Sequence, residues 1–371
     1  LTSVENLPDS ITSIGEHAFS ECEIKNTKLP KNMEAISDGL FEQCKYLQTV
    51  EFPEKLRTIG ENAFYTCLGL HSIEIPEGVV SIGDNCFTGC GNSSTYGAYY
   101  ACSSFRNVKL PSTLKSLGEA FRWCTSLEKI NIPNGITELK AETFAYCYNL
   151  SEVTFEWGVP QFSEKTFAIR RNTTITCYYP GNNPAWTKDK LQNYGAYAIK
   201  WVAKEMIKPS EGTGSGGSGS GGTGTGTGDN TSGSDSGTGS GSGSGGSGTG
   251  SSTGGSSTGG SSTGGSSTGG SSTGGTETGG SSAGGSETGG DGSESTDANK
   301  CGMNIVWTLS EDGVLKLSGS GSMYDYSKTD SDYAPWYEKR TEVKSLEISE
   351  GITHIGDYAF YGCSLKAADN L

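Results

Sequence analysis

Histidine is scarce in this chain: three occur among 371 residues, at positions 17, 71 and 354. None stands at motif spacing from a nucleophile or a carboxylate, so histidine-centred acid–base or triad chemistry has no footing. H-E-x-x-H, G-x-x-x-x-G-K-[ST] and C-x-x-C are all missing, which leaves zinc-hydrolase, P-loop and tetrahedral-zinc readings without ligands. Gly214-Ser-Gly216-Gly-Ser-Gly219 matches G-x-G-x-x-G letter by letter. A dinucleotide cradle needs a strand before it and a helix after it, and a Gly/Ser tract supplies neither. Basic residues are also outnumbered, 27 Lys and Arg against 42 Asp and Glu, for a net charge of −15. Nucleic acid and anionic membrane surfaces demand a basic patch and are poor candidate partners, and no nucleic-acid partner is expected. No apolar run reaches 18 residues, so no membrane span is expected. The chain is therefore read as non-catalytic, with no metal or cofactor.

What is present is repetition. An apolar pair, Pro, a variable run, I-G-x-x-A-F and then x-x-Cys recur, as in Ile73-Glu74-Ile75-Pro76, Ile82-Gly83, Phe87 and Cys90. Anchored on the aromatic, Phe19, Phe41, Phe64, Phe87, Phe121, Phe144 and Phe167 fall in register at spacings of 22, 23, 23, 34, 23 and 23. A fixed period of this size marks a solenoid, in which each unit buries its apolar face only against its neighbours. In Leu70-His-Ser-Ile73-Glu-Ile75 the period-2 alternation predicts a strand with Ile73 and Ile75 inward and Ser72 and Glu74 outward. Pro76 ends it, having no N–H for the ladder. Successive strands are expected to stack in parallel, with Ile175, Cys177 and Tyr179 on a closing strand.

Residues 210–300 are almost entirely Gly, Ser and Thr, and eight acids (Glu211, Asp229, Asp235, Glu277, Glu287, Asp291, Glu294 and Asp297) sit there against Lys300 alone. Such a stretch has nothing apolar to offset the entropy of ordering, so a disordered linker is expected. Beyond it, Trp307-Thr-Leu309 and Val314-Leu-Lys-Leu317 alternate on both sides of Asp312-Gly313, a hairpin signal. Leu346-Glu-Ile348, Ile355-Gly356, Phe360 and Cys363 then restate the repeat. The opening Leu1-Thr-Ser-Val4 fits a repeat already under way, and the chain stops just after the later repeat, so it is read as a piece of a longer protein.

The pattern L-x-x-I-x-I-P-x-x-V-x-x-I-G-x-x-A-F-x-x-C resembles the BspA-like leucine-rich repeat of surface proteins from bacteria and some mucosal protists. The resemblance covers about 1–168 and 343–363; Trp157-Gly158 replaces the Pro step and the Phe167 copy lacks its Cys. It implies a leucine-rich-repeat solenoid of parallel strands with irregular or short helical returns, in two modules joined by the linker. The expected division is 1–173 repeats, 174–208 closing segment, 209–300 linker, 301–342 hairpin cap and 343–371 the truncated first repeat of a second array.

Cys22, Cys44, Cys67, Cys90, Cys124 and Cys147 all follow a repeat Phe by three residues, and a buried ladder satisfying the turn backbone is expected of them. Cys90 and Cys102, twelve positions apart, both fit the register, with the insertion between them. A disulfide would staple that loop; the alternative is two structural thiols. The inserted Tyr96, Tyr99 and Tyr100 stand among Ser and Gly, a mixture suited to adaptable recognition, although a tolerated surface excursion reads equally well. The outward strand row, Thr49 and Glu51, Ser72 and Glu74, Asn107 and Lys109, Lys129 and Asn131, Glu152 and Thr154, is the other candidate surface, against a plain solvated face. It has no aromatic stripe, which weighs against sugar binding. The resemblance implies adhesion or protein–protein binding, to an extracellular, host or cell-surface partner, from a secreted or surface location. An accessory module of a larger secreted hydrolase and a passive cell-envelope spacer are the rival readings.

Overall fold

In each repeat the sequence alternation becomes one strand of a parallel ladder. Leu70, Ile73 and Ile75 are buried while His71, Ser72 and Glu74 are exposed, as period 2 dictates. The computed structural model describes residues 3–4, 7–90, 92–93, 100–101, 105–169, 173–209, 299–329 and 332–365. Ser3–Val4, Asn26–Lys28 and Thr49–Glu51 form one parallel group. Ser72–Glu74, Asn107–Lys109, Lys129–Ile132, Glu152–Phe155, Thr174–Pro180 and Ala198–Lys204 form the next, again all parallel. Helix is almost absent among the described residues, with short 3-10 turns at Lys188–Lys190 and Tyr337–Lys339. The fold is a leucine-rich-repeat solenoid.

A second row of two-residue strands runs beside the first and carries the I-G step: Ala35–Ile36, Thr58–Ile59, Ser81–Ile82 and Ser116–Leu117 pair in parallel. The glycine that follows is sterically required. A Cβ on Gly83 would stand 2.5 Å from the Glu61 backbone nitrogen and 2.6 Å from the Gly60 carbonyl carbon, so only Gly lets consecutive repeats close up. The next residue locks the step: Asp38 Oδ1 accepts the Glu61 N–H at 2.7 Å and Asp84 Oδ1 accepts that of Glu119 at 2.9 Å.

The A-F-x-x-C segment turns the chain back and fills the interior. Its Phe rings stack face to face from Phe19 through Phe41, Phe64, Phe87, Phe121 and Phe144 to Phe167, with centroids 5.4 to 5.9 Å apart. Offset stacks of this kind contribute about 0.5–1.5 kcal/mol per pair beyond area burial. The main chain of these turns forms a third ladder: Phe41 N–H donates to Ala63 O at 2.9 Å, Phe64 to Cys86 and Phe87 to Ala120 at the same distance. Beside the Phe column runs the cysteine ladder. Each thiol donates to the carbonyl of the preceding repeat's Phe: Cys44 to Phe19 at 3.0 Å, Cys67 to Phe41 at 3.2 Å, Cys90 to Phe64, Cys124 to Phe87 and Cys147 to Phe121. Those carbonyls are buried, and an unmet one costs about 1–3 kcal/mol. The expected backbone-satisfying role of the cysteines is met.

The two ends are shielded differently. After the last repeat, Thr174–Pro180 and Ala198–Lys204 add two seven-residue strands. Trp186 and Trp201, 5.8 Å apart, cover Phe155, with Phe162, Tyr179 and Tyr194 around them. Ile175 and Cys177 point inward as expected. The first repeat is covered by residues more than 300 positions away. The expected hairpin is present, Ile305–Leu309 antiparallel to Val314–Ser322, with Gly313 in the left-handed region at φ 92°. Gly351–Ile355 pairs in parallel with both Val314–Ser322 and Ser13–Ile14. Phe360 stacks on Phe19 at 5.2 Å, Trp336 caps Phe360 at 5.8 Å, and Cys22 Sγ donates to Phe360 O at 3.0 Å. The repeat expected to open a second array thus lies against the first repeat of the array. Residues 1–211 and 293–371 fall in one compact unit. The expected linker, apart from its ends, lies outside the described residues.

Candidate binding surfaces

Strand register brings the outward row together. Ser72 faces Asn107, Asn107 faces Lys129 and Lys129 faces Glu152. Glu74 faces Lys109, Asn131 faces Thr154, and Thr49 and Glu51 face Asn26 and Lys28. A strand pitch of about 4.8 Å would set like charges against one another, and opposite charges alternate instead. Lys28 pairs with Glu51 at 3.3 Å, Arg106 with Glu128 at 2.7 Å and Lys129 with Glu152 at 3.5 Å; Lys109 pairs with Glu74. The last contact holds the Lys109 ammonium above the usual lysine range, chiefly through its hydrogen bond to Glu74. Both partners of the Lys28–Glu51 pair are more than 60% exposed, so such pairs contribute well under 1 kcal/mol and weaken with salt. Glu152 and Thr154 are half-buried, unlike the rest of the row, because Thr176 and Tyr178 of the closing strand stand beside them. The face is wide, polar and mixed in charge.

The insertion is described only in part. Asn92–Ser93 and Tyr100–Ala101 pair as a short antiparallel ladder, whereas Tyr96, Tyr99 and the Tyr100 side chain lie outside the described residues. Cys102 does too, so the Cys90–Cys102 pairing rests on the sequence alone, while Cys90 stands as a free thiol bonded to Phe64 O. Cys90 itself is buried, and burial pushes its thiol up to about 12.

The opposite, turn-bearing edge holds groups that the sequence reading did not single out. In most repeats two positions, two residues before and two after the Phe, sit in the left-handed region, among them Asn62 (φ 53°), Gln43 (φ 58°), Thr66 (φ 58°), Trp123 (φ 60°) and Tyr146 (φ 61°). That conformation turns their side chains out along the edge. Trp123 and Tyr146 stack at 4.0 Å, with Tyr148 edge-on to both. A groove of about 470 Å³ lies beside Trp123, lined by Glu42, Asn62, Tyr65, Asn85, Thr88 and Arg122. The signal was available: Trp123 and Tyr146 occupy the same place in A-F-x-x-C, 23 residues apart.

Nearby ionic groups are tied within the edge. His17 Nδ1 lies 2.9 Å from Glu42 Oε2, and its ring stacks on Tyr358 at 4.9 Å. The hydrogen bond from His17 holds the Glu42 carboxyl below the ordinary glutamate range, against the opposing effect of burial. Arg122 Nε lies 3.1 Å from Glu142 Oε2. For Asp84, burial works upward, but Lys140 Nζ at 2.9 Å and the Glu119 N–H outweigh it and lower the pKa. No cluster of three or more His, Cys, Asp or Glu side chains suited to a metal occurs among the described residues.

A profile of the BspA type leucine rich repeat region matches residues 1–94, 93–183 and 334–369, in six copies. No curated protein matches the chain. Among solved structures, the chain is similar to the T. pallidum leucine rich repeat protein TpLRR, with 22% identity over 52% of this chain and 80% of that one and a TM-score of 0.34. A leucine-rich repeat protein from Bacteroides ovatus has 19% identity over 53% of this chain and 66% of that one, with a TM-score of 0.28. The pneumococcal vaccine antigen PcpA has 14% identity over 50% and 69%, with a TM-score of 0.27.

Proposed function

We propose that this chain, which belongs to the BspA type leucine-rich repeat family, is a non-catalytic platform that binds a protein partner through its outward strand row. Repeat modules of this kind serve in general as protein-binding scaffolds, and the finer assignment is adhesion to an extracellular, host or cell-surface protein from a secreted or surface location. One observation carries the reading: residues from successive repeats stand in register on one wide face, over an interior fixed by stacked rings and hydrogen-bonded thiols. A rigid scaffold loses little conformational entropy on binding, and a mixed-charge face supplies partner choice and association rate more than raw affinity. Tyr96, Tyr99 and Tyr100 of the insertion are proposed to extend that surface.

The test is a binding screen of the full chain against extracellular-matrix proteins and mucins. A Lys109→Glu, Lys129→Glu double variant and a Tyr96→Ala, Tyr99→Ala, Tyr100→Ala triple variant run beside it. A saturable protein hit weakened by the charge reversals supports the reading, and a further loss in the tyrosine variant extends the site to the insertion. Silence across the panel, or hits indifferent to both variants, counts against it and favours a spacer or accessory role.

A further inference from the structure

We propose that the groove on the turn edge is a second binding site, for an uncharged oligosaccharide, independent of the protein-binding strand face. It begins at a gap in a column. Two residues after the Phe of the first six repeats come Glu21, Gln43, Thr66, Gly89, Trp123 and Tyr146. Gln43 and Thr66 take this left-handed conformation at φ 58°, so the backbone does not require glycine at position 89, where φ is 73°. Nor does packing forbid a side chain: a Cβ on Gly89 would approach nothing nearer than Thr66 Oγ1 at 3.3 Å. Beside Trp123, whose ring Tyr146 stacks on at 4.0 Å and which lines the groove, the column carries no side chain at position 89.

The lining states the ligand class. An indole that lines a groove takes an apolar, flat surface, and the C–H face of a pyranose is one. Around it stand Asn62, Asn85, Thr88 and Tyr65, whose amide and hydroxyl groups include both donors and acceptors, as a ring of hydroxyl groups requires, with the Thr88 hydroxyl already bonded to Asn85 Oδ1 at 3.3 Å. Both charged groups in the groove have a neighbour outside it, Glu42 the His17 ring at 2.9 Å and Arg122 the Glu142 carboxylate at 3.1 Å, so neither stands alone to demand a charged ligand. An extended peptide fits less well, because the main chain here is spent within the array. Thr66 N–H donates to Thr88 O at 2.8 Å and Gly89 N–H to Arg122 O at 2.9 Å, leaving no free edge for strand addition. The lining spans four consecutive repeats, with Phe rings 5.4 to 5.6 Å apart beneath it, so the site suits a chain of sugars better than a single one.

The test titrates maltotriose, cellotriose, chitotriose and N-acetyllactosamine into the full chain by calorimetry. Trp123→Ala, Gly89→Gln and, as a control on the closing segment, Tyr197→Ala run in parallel, with circular dichroism to confirm folding. Gly89→Gln fills the gap with the residue found at position 43 and leaves the Trp123 ring in place, so it separates loss of the site from loss of the fold. Saturable binding of at least one trisaccharide or disaccharide, weakened by about tenfold or more in both groove variants and unchanged in Tyr197→Ala, is expected. Silence of the whole panel overturns the proposal, as does binding that survives both groove variants. Loss in Trp123→Ala of a protein hit, with no sugar bound, overturns the ligand class. Failure of the strand-face variants to affect protein capture bears on the other site alone.

Discussion

The strand face and the turn edge are built from the same repeats, yet they carry opposite chemistry. On the strand face, side chains stand at even spacing and nearly perpendicular to the sheet, so the sequence alternates Lys28 with Glu51 and Glu74 with Lys109. On the turn edge, left-handed residues fan outward, and aromatic groups such as Trp123 and Tyr146 meet face to face while Gly89 leaves room. The difference teaches that a repeat has two independent exteriors. One is set by hydrogen-bond register and tolerates any polar pair; the other is set by turn geometry and makes concavities. Both rest on one interior of Phe and Cys columns, and that interior is where stability resides.

The widest separation between interior and exterior is expected in alkali. Burial raises the ladder thiols well above their ordinary value of 9.0, Cys90 to about 12. Their folded pKa lies above the unfolded one, so their stabilisation is fully present below about pH 9 and is lost as pH rises toward the folded values. Each such thiol then withdraws about 1.4 kcal/mol per pH unit. Thiolate absorbance and loss of the circular dichroism signal should rise together; thiolate formation with the fold intact would break the assignment. Next in size, Phe64→Ala opens a hole in the ring column and should cost about 3–5 kcal/mol in denaturant unfolding. Trp123→Ala removes a half-exposed stacked ring and should cost about 1 kcal/mol, with little change in fold. Smallest of all, exchanging Glu74 and Lys109 (Glu74→Lys with Lys109→Glu) should leave the unfolding midpoint nearly unchanged, the more so in high salt. A larger cost from the exchange than from Phe64→Ala would invert the comparison.

Much of this was legible in the sequence because a period is a physical statement. Seven Phe at near-constant spacing had to form a column, and Cys at a fixed offset from them had to meet the same carbonyl in every repeat. Asp312-Gly313 between alternating segments had to make a hairpin. The covering of the first repeat by Phe360 and Gly351–Ile355 was not legible, since nothing local couples residues 19 and 360; complementarity of repeat faces decides it. The turn-edge groove was missed for a different reason. Period 2 fixes which side chains point outward on the strand row, whereas Trp123 and Tyr146 point outward through a positive φ that no local pattern announces. Glu152 and Thr154 were read as outward and proved half-buried, because the closing strand adds Thr176 and Tyr178 beside them.

The most direct test of the account is a measurement of one protein partner's affinity, taken from the matrix and mucin screen, for variants of each exterior in turn. If the strand row is the protein-binding face, Lys109→Glu with Lys129→Glu weakens that affinity about tenfold or more, while Trp123→Ala and Gly89→Gln leave it unchanged. Affinity that survives the charge reversals, or falls with the turn-edge variants instead, would contradict the assignment of protein binding to the strand face.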